Sequence, residues 1–227
     1  MELSLVVFDV DGTLIDSQDF IVTAMHRAFA GAGRSLPGRA EVLAVVGLSL
    51  AEAVSRLAPD LGAGEVDEAV ERYRAAFIGL RAETGGEAAA PLYPGARAAV
   101  EALHARPEVL LGVATGKARR GLDHAFAAHD LDRFFVTRQT ADHHPSKPHP
   151  AMLEAALAET GVAPERAAMV GDTTFDIEMA RGAGMLPVGV SWGYHPPEAL
   201  RAAGAAVVVD SFAQLPAALD KIWRATA

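Results

Sequence analysis

The chain contains no cysteine. This excludes disulfides, cysteine nucleophiles and thiolate metal sites, and it fits a reducing compartment such as the cytoplasm. Lysine is nearly as scarce: Lys117, Lys147 and Lys221 are the whole complement. Lys and Arg number 20 against 29 Asp and Glu, a net charge of −9. With no basic patch, nucleic acid is a poor partner. No apolar run approaches the ~18 residues that suggest a membrane span. The N-terminus enters its first strand without the basic start and apolar stretch of a secretory signal. The expectation is a cytoplasmic protein with neither membrane nor nucleic acid as partner. What is abundant points the other way: 51% of the 227 residues are hydrophobic and 22% are charged. That allows a substantial core, in one large domain or one domain with a smaller insert.

The stretch Leu3-Ser4-Leu5-Val6-Val7-Phe8-Asp9-Val10-Asp11-Gly12-Thr13 organises the rest. It opens as a short apolar run, which reads as a strand buried on both faces. It closes on two aspartates one residue apart. Taken alone, that ending is compatible with an Asp-Gly turn. Two carboxylates at the end of a buried strand are costly unless something reconciles them, and ligands in open α/β sheets bind outside the carboxyl ends of the strands. A divalent cation there would reconcile them.

From Asp19 to Ala32, and again over Arg39–Val46, Leu50–Leu57 and Asp67–Leu80, apolar residues recur with helical spacing, and Gly47-Leu48-Ser49 interrupts the middle. Residues 17–88 therefore read as helical, joined to the rest by Asp16–Ser17 and by the small-residue stretch Thr84–Ala90. Beyond Leu92 the pattern changes. Strands are expected at Val109–Ala114, Phe134–Thr137, Ala167–Val170, Leu186–Val190 and Ala206–Val209, with helices at Ala96–Leu103, Ala118–Ala128, Ala151–Thr160, after Asp176, and over Phe212–Trp223. Such alternation implies a parallel sheet covered on both faces.

Four polar stations stand at the ends of these strands or in the loops that follow: Asp9 with Asp11, Thr115, Lys147, and Asp172 with Asp176. Distant in sequence, they converge at one edge of such a sheet. Here the chain resembles the haloacid dehalogenase-like (HAD) hydrolase superfamily. Asp9-Val10-Asp11-Gly12-Thr13 is similar to its first motif, Thr115 to its second, and Lys147 in Ser-Lys-Pro-His-Pro to its third. Gly171-Asp172-Thr173-Thr174-Phe175-Asp176 is similar to its fourth. Within the superfamily the chain most resembles phosphoglycolate phosphatases, including at Gly47-Leu48-Ser49-Leu50 and Trp192-Gly193-Tyr194. The resemblance implies an α/β fold: a Rossmann-like parallel sheet with helices on both faces and a small inserted helical cap. The core would comprise residues 1–16 and 89–227, and the cap 17–88.

It also implies a Mg²⁺-dependent phosphatase acting on a small phosphorylated metabolite. Asp9 would be nucleophile and metal ligand, and Asp11 the general acid and base, reaching the metal through its carbonyl. Asp172 would be the third ligand, and Asp176 would orient Lys147 or a metal-bound water. Lys147 would supply positive charge to the phosphoryl group, while Thr115 and Gly116 would bind its oxygens. Many relatives have Asn at the Gly116 position. Ser49 would meet the substrate from the cap. The independent chemistry agrees, since a carboxylate facing an anionic substrate needs a hard cation with oxygen ligands. The Lys147–Pro148 bond is expected to be cis, as in relatives with a Lys-Pro third motif.

Several alternatives follow from the same resemblance. Dehalogenases lack the acid at the Asp11 position. Phosphonoacetaldehyde hydrolases need a cap lysine, and residues 17–88 have none. β-Phosphoglucomutase-like proteins usually carry His where this chain has Ile21, which leaves a phosphosugar mutase as the second enzymatic reading. An idle binding module on this fold would be marked by loss of Asp9 or Asp11. His143, His144 and His149 read as solvated loop residues, His195 as either a surface residue or part of the site's rim, and the cap arginines as a solvated face.

Overall fold

The computed structural model describes residues 2–84 and 90–226. Six parallel strands form one sheet: β1 (Ser4–Phe8), β2 (Val109–Thr115), β3 (Thr137–Thr140), β4 (Ala167–Gly171), β5 (Leu186–Val190) and β6 (Val207–Val209). They lie in the order β3-β2-β1-β4-β5-β6. The chain therefore steps outward from β1 in one direction, then returns past it and steps out in the other. A crevice opens at such a reversal, beyond the strands' carboxyl ends. β1 is central, and all five of its residues are buried.

Its side chains alternate between two cores, as the two-residue period of a strand requires. Val6 and Phe8 pack with α5 (Ala96–His104), α6 (Arg119–Ala128) and α10 (Leu215–Thr226), through Val100, Leu122, Phe126 and Leu219. Leu5 and Val7 pack on the other face with α7 (Ala151–Thr160) and α8 (Thr174–Gly182), through Met152, Leu153 and Met179. Each large side chain so buried contributes about 1.5–3 kcal/mol. The expected α/β architecture is thus observed.

Between β1 and α5 stand α1 (Gln18–Gly31), α2 (Arg39–Leu43), α3 (Leu50–Leu57) and α4 (Ala63–Glu83), with no strand among the described residues there. They close around a separate apolar cluster that includes Ile21, Met25, Phe29, Val42, Val54 and Val70. The crossing at Ile15 and Asp16 lies beside the returning chain, since Ile15 pairs with Leu92 and Asp16 N–H donates to Pro91 O. Of the second expected linker, residues 85–89 lie outside the described residues, and so does the boundary drawn between 88 and 89. No helix of the described residues is long and apolar enough to cross a membrane.

Local expectations need correction, and the helix expected over Arg39–Val46 already ends at Leu43. The strand expected at Phe134–Thr137 begins only at Thr137. Phe134 and Phe135 instead pack into the core, Phe134 ending a short 3₁₀ turn. Phe212–Gln214 is likewise 3₁₀, and α10 starts at Leu215. A further helix, α9 (Pro197–Ala203), lies between β5 and β6. Its apolar signal is weak because only Leu200 is buried.

Candidate active site

Asp9 follows β1, Thr115 ends β2 and Asp172 follows β4, so three neighbouring strands bring three of the four stations together. The fourth, Lys147, lies in the loop between β3 and α7, after which the Lys147–Pro148 peptide bond is cis as expected. All are shut from solvent: Asp9, Thr115 and Lys147 are 1% exposed, and Asp172 and Asp176 are 0%.

Lys147 Nζ donates to Asp9 Oδ1 at 2.8 Å and to Asp176 Oδ1 at 2.7 Å. Asp176 is held further by Thr173, whose backbone N–H and hydroxyl both reach Oδ2, closing the first turn of α8 as a capping box. Asp172 Oδ1 accepts from the Thr13 hydroxyl at 2.9 Å, and its Oδ2 from Tyr194 N–H at 2.8 Å. Gly12 makes this packing possible. At φ +91°, a β-carbon there would lie 2.3 Å from Asp172 Oδ2.

Asp9 Oδ2 is the exception, a buried oxygen with no hydrogen-bond partner. Ligand oxygens of Asp9, Asp172 and Asp176 all lie within 4.8 Å of one another. If all three were ionised, the carboxylates would outnumber the one ammonium by two in a space shut from solvent. Burial, only partly offset by Lys147, pushes the Asp9 carboxyl up to about 7. Burial and the neighbouring charges of Asp9 and Asp176 hold Asp172 well above the carboxylate range. Burial pulls Lys147 down, but Asp176 and Asp9 outweigh it and hold the ammonium above its usual value. An all-oxygen donor set with an orphaned carboxylate oxygen and excess negative charge fits a hard divalent cation.

Asp11, 8% exposed, stands at the edge of this cluster. Ser17 Oγ donates to its Oδ1 at 2.6 Å, and Lys117 Nζ lies 2.9 Å from its Oδ2. Tyr194 OH lies 3.3 Å from Ser17 Oγ. The Thr115 hydroxyl accepts Lys117 N–H.

The helical block reaches the same place. Ser49 N–H donates to Ser146 Oγ at 2.8 Å, and Leu48 packs in a cluster with Phe175. Ser49 caps α3, its hydroxyl accepting Glu52 N–H, so that hydroxyl is engaged in its own helix turn. His195 spans the two parts. Its Nδ1 accepts Thr174 N–H and its Nε2 lies 3.3 Å from Ala44 O, while burial lowers its pKa. His143 and His149 are exposed, whereas His144 is half-buried against Gln139. Six cap arginines pair with carboxylates at the surface (Arg27, Arg34, Arg39, Arg56, Arg72 and Arg74), and Arg81 lines a cleft beside Asp11.

The residues that sequence reasoning missed are Lys117, Thr13 and Tyr194. The signal for Lys117 was present: it is one of three lysines and directly follows Thr115-Gly116. Tyr194 was noted only as part of a resemblance, yet its N–H holds Asp172.

With this geometry, residues 6–190 match the family model of haloacid dehalogenase-like hydrolases. The chain belongs to that family. The resemblance drawn from the four motifs is borne out, and the protein is an enzyme of the hydrolase class. It is 36% identical to "Probable phosphatase IndB" of Dickeya dadantii, over 97% of this chain and 95% of that protein. It is 32% identical to the phosphoglycolate phosphatase of Pseudomonas syringae, over 95% of this chain and 80% of that one. Its fold matches the crystal structure of a hydrolase from Pseudomonas syringae with a TM-score of 0.84, at 24% identity, covering 97% of this chain and 99% of that one.

Proposed function

We propose that this HAD-family phosphatase is Mg²⁺-dependent and hydrolyses a small phosphate monoester of the phosphoglycolate type through an aspartyl-phosphate on Asp9. The observation that carries the reading is Asp9 itself: Lys147 holds one of its oxygens and the other is buried without a partner. A carboxylate so held is a nucleophile poised for an anionic substrate, provided the excess negative charge is neutralised.

Asp9, Asp172 and the carbonyl of Asp11 would hold the cation. When bound, it supplies positive charge that lets an anionic phosphoryl group approach the carboxylates. Asp9 Oδ2 attacks phosphorus, and the bond to the leaving oxygen breaks as Asp11 delivers a proton to it. Asp11 then takes a proton from water as that water attacks phosphorus and releases Asp9, so ester plus water becomes alcohol plus phosphate. Lys147 neutralises phosphoryl oxygens while keeping Asp9 in line, and Asp176 keeps Lys147 aimed. Thr115 and Gly116 offer a hydroxyl and a backbone N–H to the same oxygens. Residues 17–88 act as a cap on a core of 1–16 and 89–227, excluding water during the first step.

The relatives named as phosphatases and as a phosphoglycolate phosphatase support the substrate class. Ile21 sits in the cap's apolar cluster and offers no polar group, so a mutase gains no support. The test is Asp9→Asn against a panel of phosphorylated metabolites with Mg²⁺. Turnover should fall by at least about 10³-fold with the fold intact. Near-wild-type turnover in that variant refutes the assignment.

A further inference from the structure

The loop after β5 belongs to none of the four motifs, yet it is fastened to two of them. Trp192 Nε1–H donates to Thr13 O at 3.1 Å, and His195 N–H donates to Asp172 O at 3.3 Å. Between them Gly193 presses on Asp172: a β-carbon at position 193 would stand 2.1 Å from Asp172 Cβ. Tyr194 N–H meets Asp172 Oδ2 at 2.8 Å. With its backbone so fixed, Tyr194 lays its ring over Gly12, where a β-carbon would come within 2.7 Å of Cε2. The ring also packs against the apolar cluster of the helical block.

The Tyr194 hydroxyl ends at Ser17. That serine occupies the N-cap position of α1, where a serine ordinarily turns its oxygen onto the helix's own N–H groups. Here its side chain makes no such bond. Ser17 is 2% exposed, and its Oγ lies 2.6 Å from Asp11 Oδ1 and 3.3 Å from Tyr194 OH. An oxygen of an ionised carboxylate can only accept, so the one hydroxyl hydrogen of Ser17 goes to Asp11. The Ser17 oxygen then accepts from Tyr194. The chain therefore has a direction, from Tyr194 to Ser17 to Asp11. It occupies Oδ1 and leaves Oδ2 as the oxygen to carry a proton.

We infer that Tyr194 is a positioning residue of this enzyme, which through Ser17 holds Asp11 where it delivers its proton to the leaving oxygen. The inference rests on the proposed phosphatase reading, in which Asp11 is the acid. Linked hydrogen bonds polarise one another and act as a unit. Loss of the far hydroxyl therefore loosens the acid although Tyr194 itself touches no reacting atom.

Tyr194→Phe tests this, because it removes the hydroxyl and keeps both the ring and the N–H to Asp172. The measurement is kcat/KM, which reports formation of the aspartyl-phosphate, on three esters. Their leaving oxygens need a proton to different degrees: 2-phosphoglycolate most, phenyl phosphate less, p-nitrophenyl phosphate least. The variant should lose at least about tenfold on 2-phosphoglycolate, less on phenyl phosphate, and no more than about threefold on p-nitrophenyl phosphate. Ser17→Ala should give the same ranking. The double variant should lose no more than Ser17→Ala alone, because Tyr194 acts through Ser17. Unchanged kinetics, equal losses on all esters, or losses that multiply in the double variant overturn the inference, since Tyr194 would then only pack the site. A wild type that hydrolyses none of the three esters overturns the phosphatase reading itself and takes the inference with it, a result distinct from each of those patterns.

Discussion

Gly116 meets Leu48 backbone to backbone: a β-carbon at position 116 would stand 2.3 Å from the Leu48 carbonyl oxygen. The neighbouring Gly47 carbonyl would lie at 2.5 Å. The loop from the helical block therefore rests on the end of β2 only because residue 116 has no side chain. Gly116→Ala should push the loop away, and Gly116→Asn further. We expect kcat/KM to fall by about 10–100-fold with a thermal midpoint close to wild type, since the contact lies between two parts that each keep their own core. Unchanged kinetics in both variants would show that the loop yields freely.

The same residue shows how much was legible in the sequence. The four motifs, the parallel sheet and the helical insert were readable because strand and helix periods and strand-end carboxylates are local signals. The ends of α3, α7 and β5 fell where expected. That Asn is replaced by Gly at position 116 was visible, but its reason, the approach of Leu48 from about 70 residues away, is tertiary. For the same reason Tyr194 as the donor to Asp172 and Lys117 as the partner of Asp11 stayed hidden. The strand expected at Phe134 was misplaced because a Phe-Phe pair satisfies strand propensity and core packing alike.

Asp172 and Asp176 should separate into different roles. Asp176 is committed to Lys147 and to the capping box of α8, whereas Asp172 follows β4 beside Asp9. Asp172→Ala should weaken Mg²⁺ affinity by at least about tenfold, and by more than Asp176→Ala does. Asp176→Ala should instead lower thermal stability more, by about 1 kcal/mol or more, because it removes a buried partner of Lys147 and one arm of the capping box. Titration of Mg²⁺ against activity, with melting curves for both variants, checks the order. The reverse order would exchange the two roles.

The raised Asp9 carboxyl gives a pH signature. Its folded value of about 7 lies above the 3.8 of an unperturbed aspartate. The folded state therefore holds a proton that the unfolded state has released. The stability this contributes is complete below the lower value and is lost as pH rises through the higher one. Asp172 is shifted in the same direction. Metal-free protein should accordingly melt at a lower temperature near pH 7.5 than near pH 5. Divalent cation binds the ionised carboxylates, so added Mg²⁺ should raise the midpoint more at the higher pH. An equal rise at both pH values would separate the cation from this cluster.

The last prediction concerns size. Ser146 directly precedes Lys147, and its Oγ accepts Ser49 N–H from the cap loop. The hydrogen bond ties the loop that bears Lys147 to the helical block, beside the apolar seat of Leu48 on Phe175. A cleft lined by Asp11, Lys117, Phe20 and Phe77 opens between the block and α6, and in the proposed reaction the leaving group lies on the Asp11 side. Small esters should fit it and a phosphopeptide should not, and the net charge of −9 further disfavours large polyanions. Ser146→Ala removes one acceptor at a partly exposed position, a change worth about 0.5–1.5 kcal/mol. For 2-phosphoglycolate, kcat/KM should therefore fall by about 3–10-fold. A hexose phosphate, which gains from a looser seat, should lose less. Replacing Ser49 with Trp should disturb the ranking of the small substrates more strongly, because it alters the loop itself. Comparing the three substrates across wild type and both variants decides the matter. A phosphopeptide as best substrate, or an unchanged ranking in Ser49→Trp, would mean that the helical block does not gate the site.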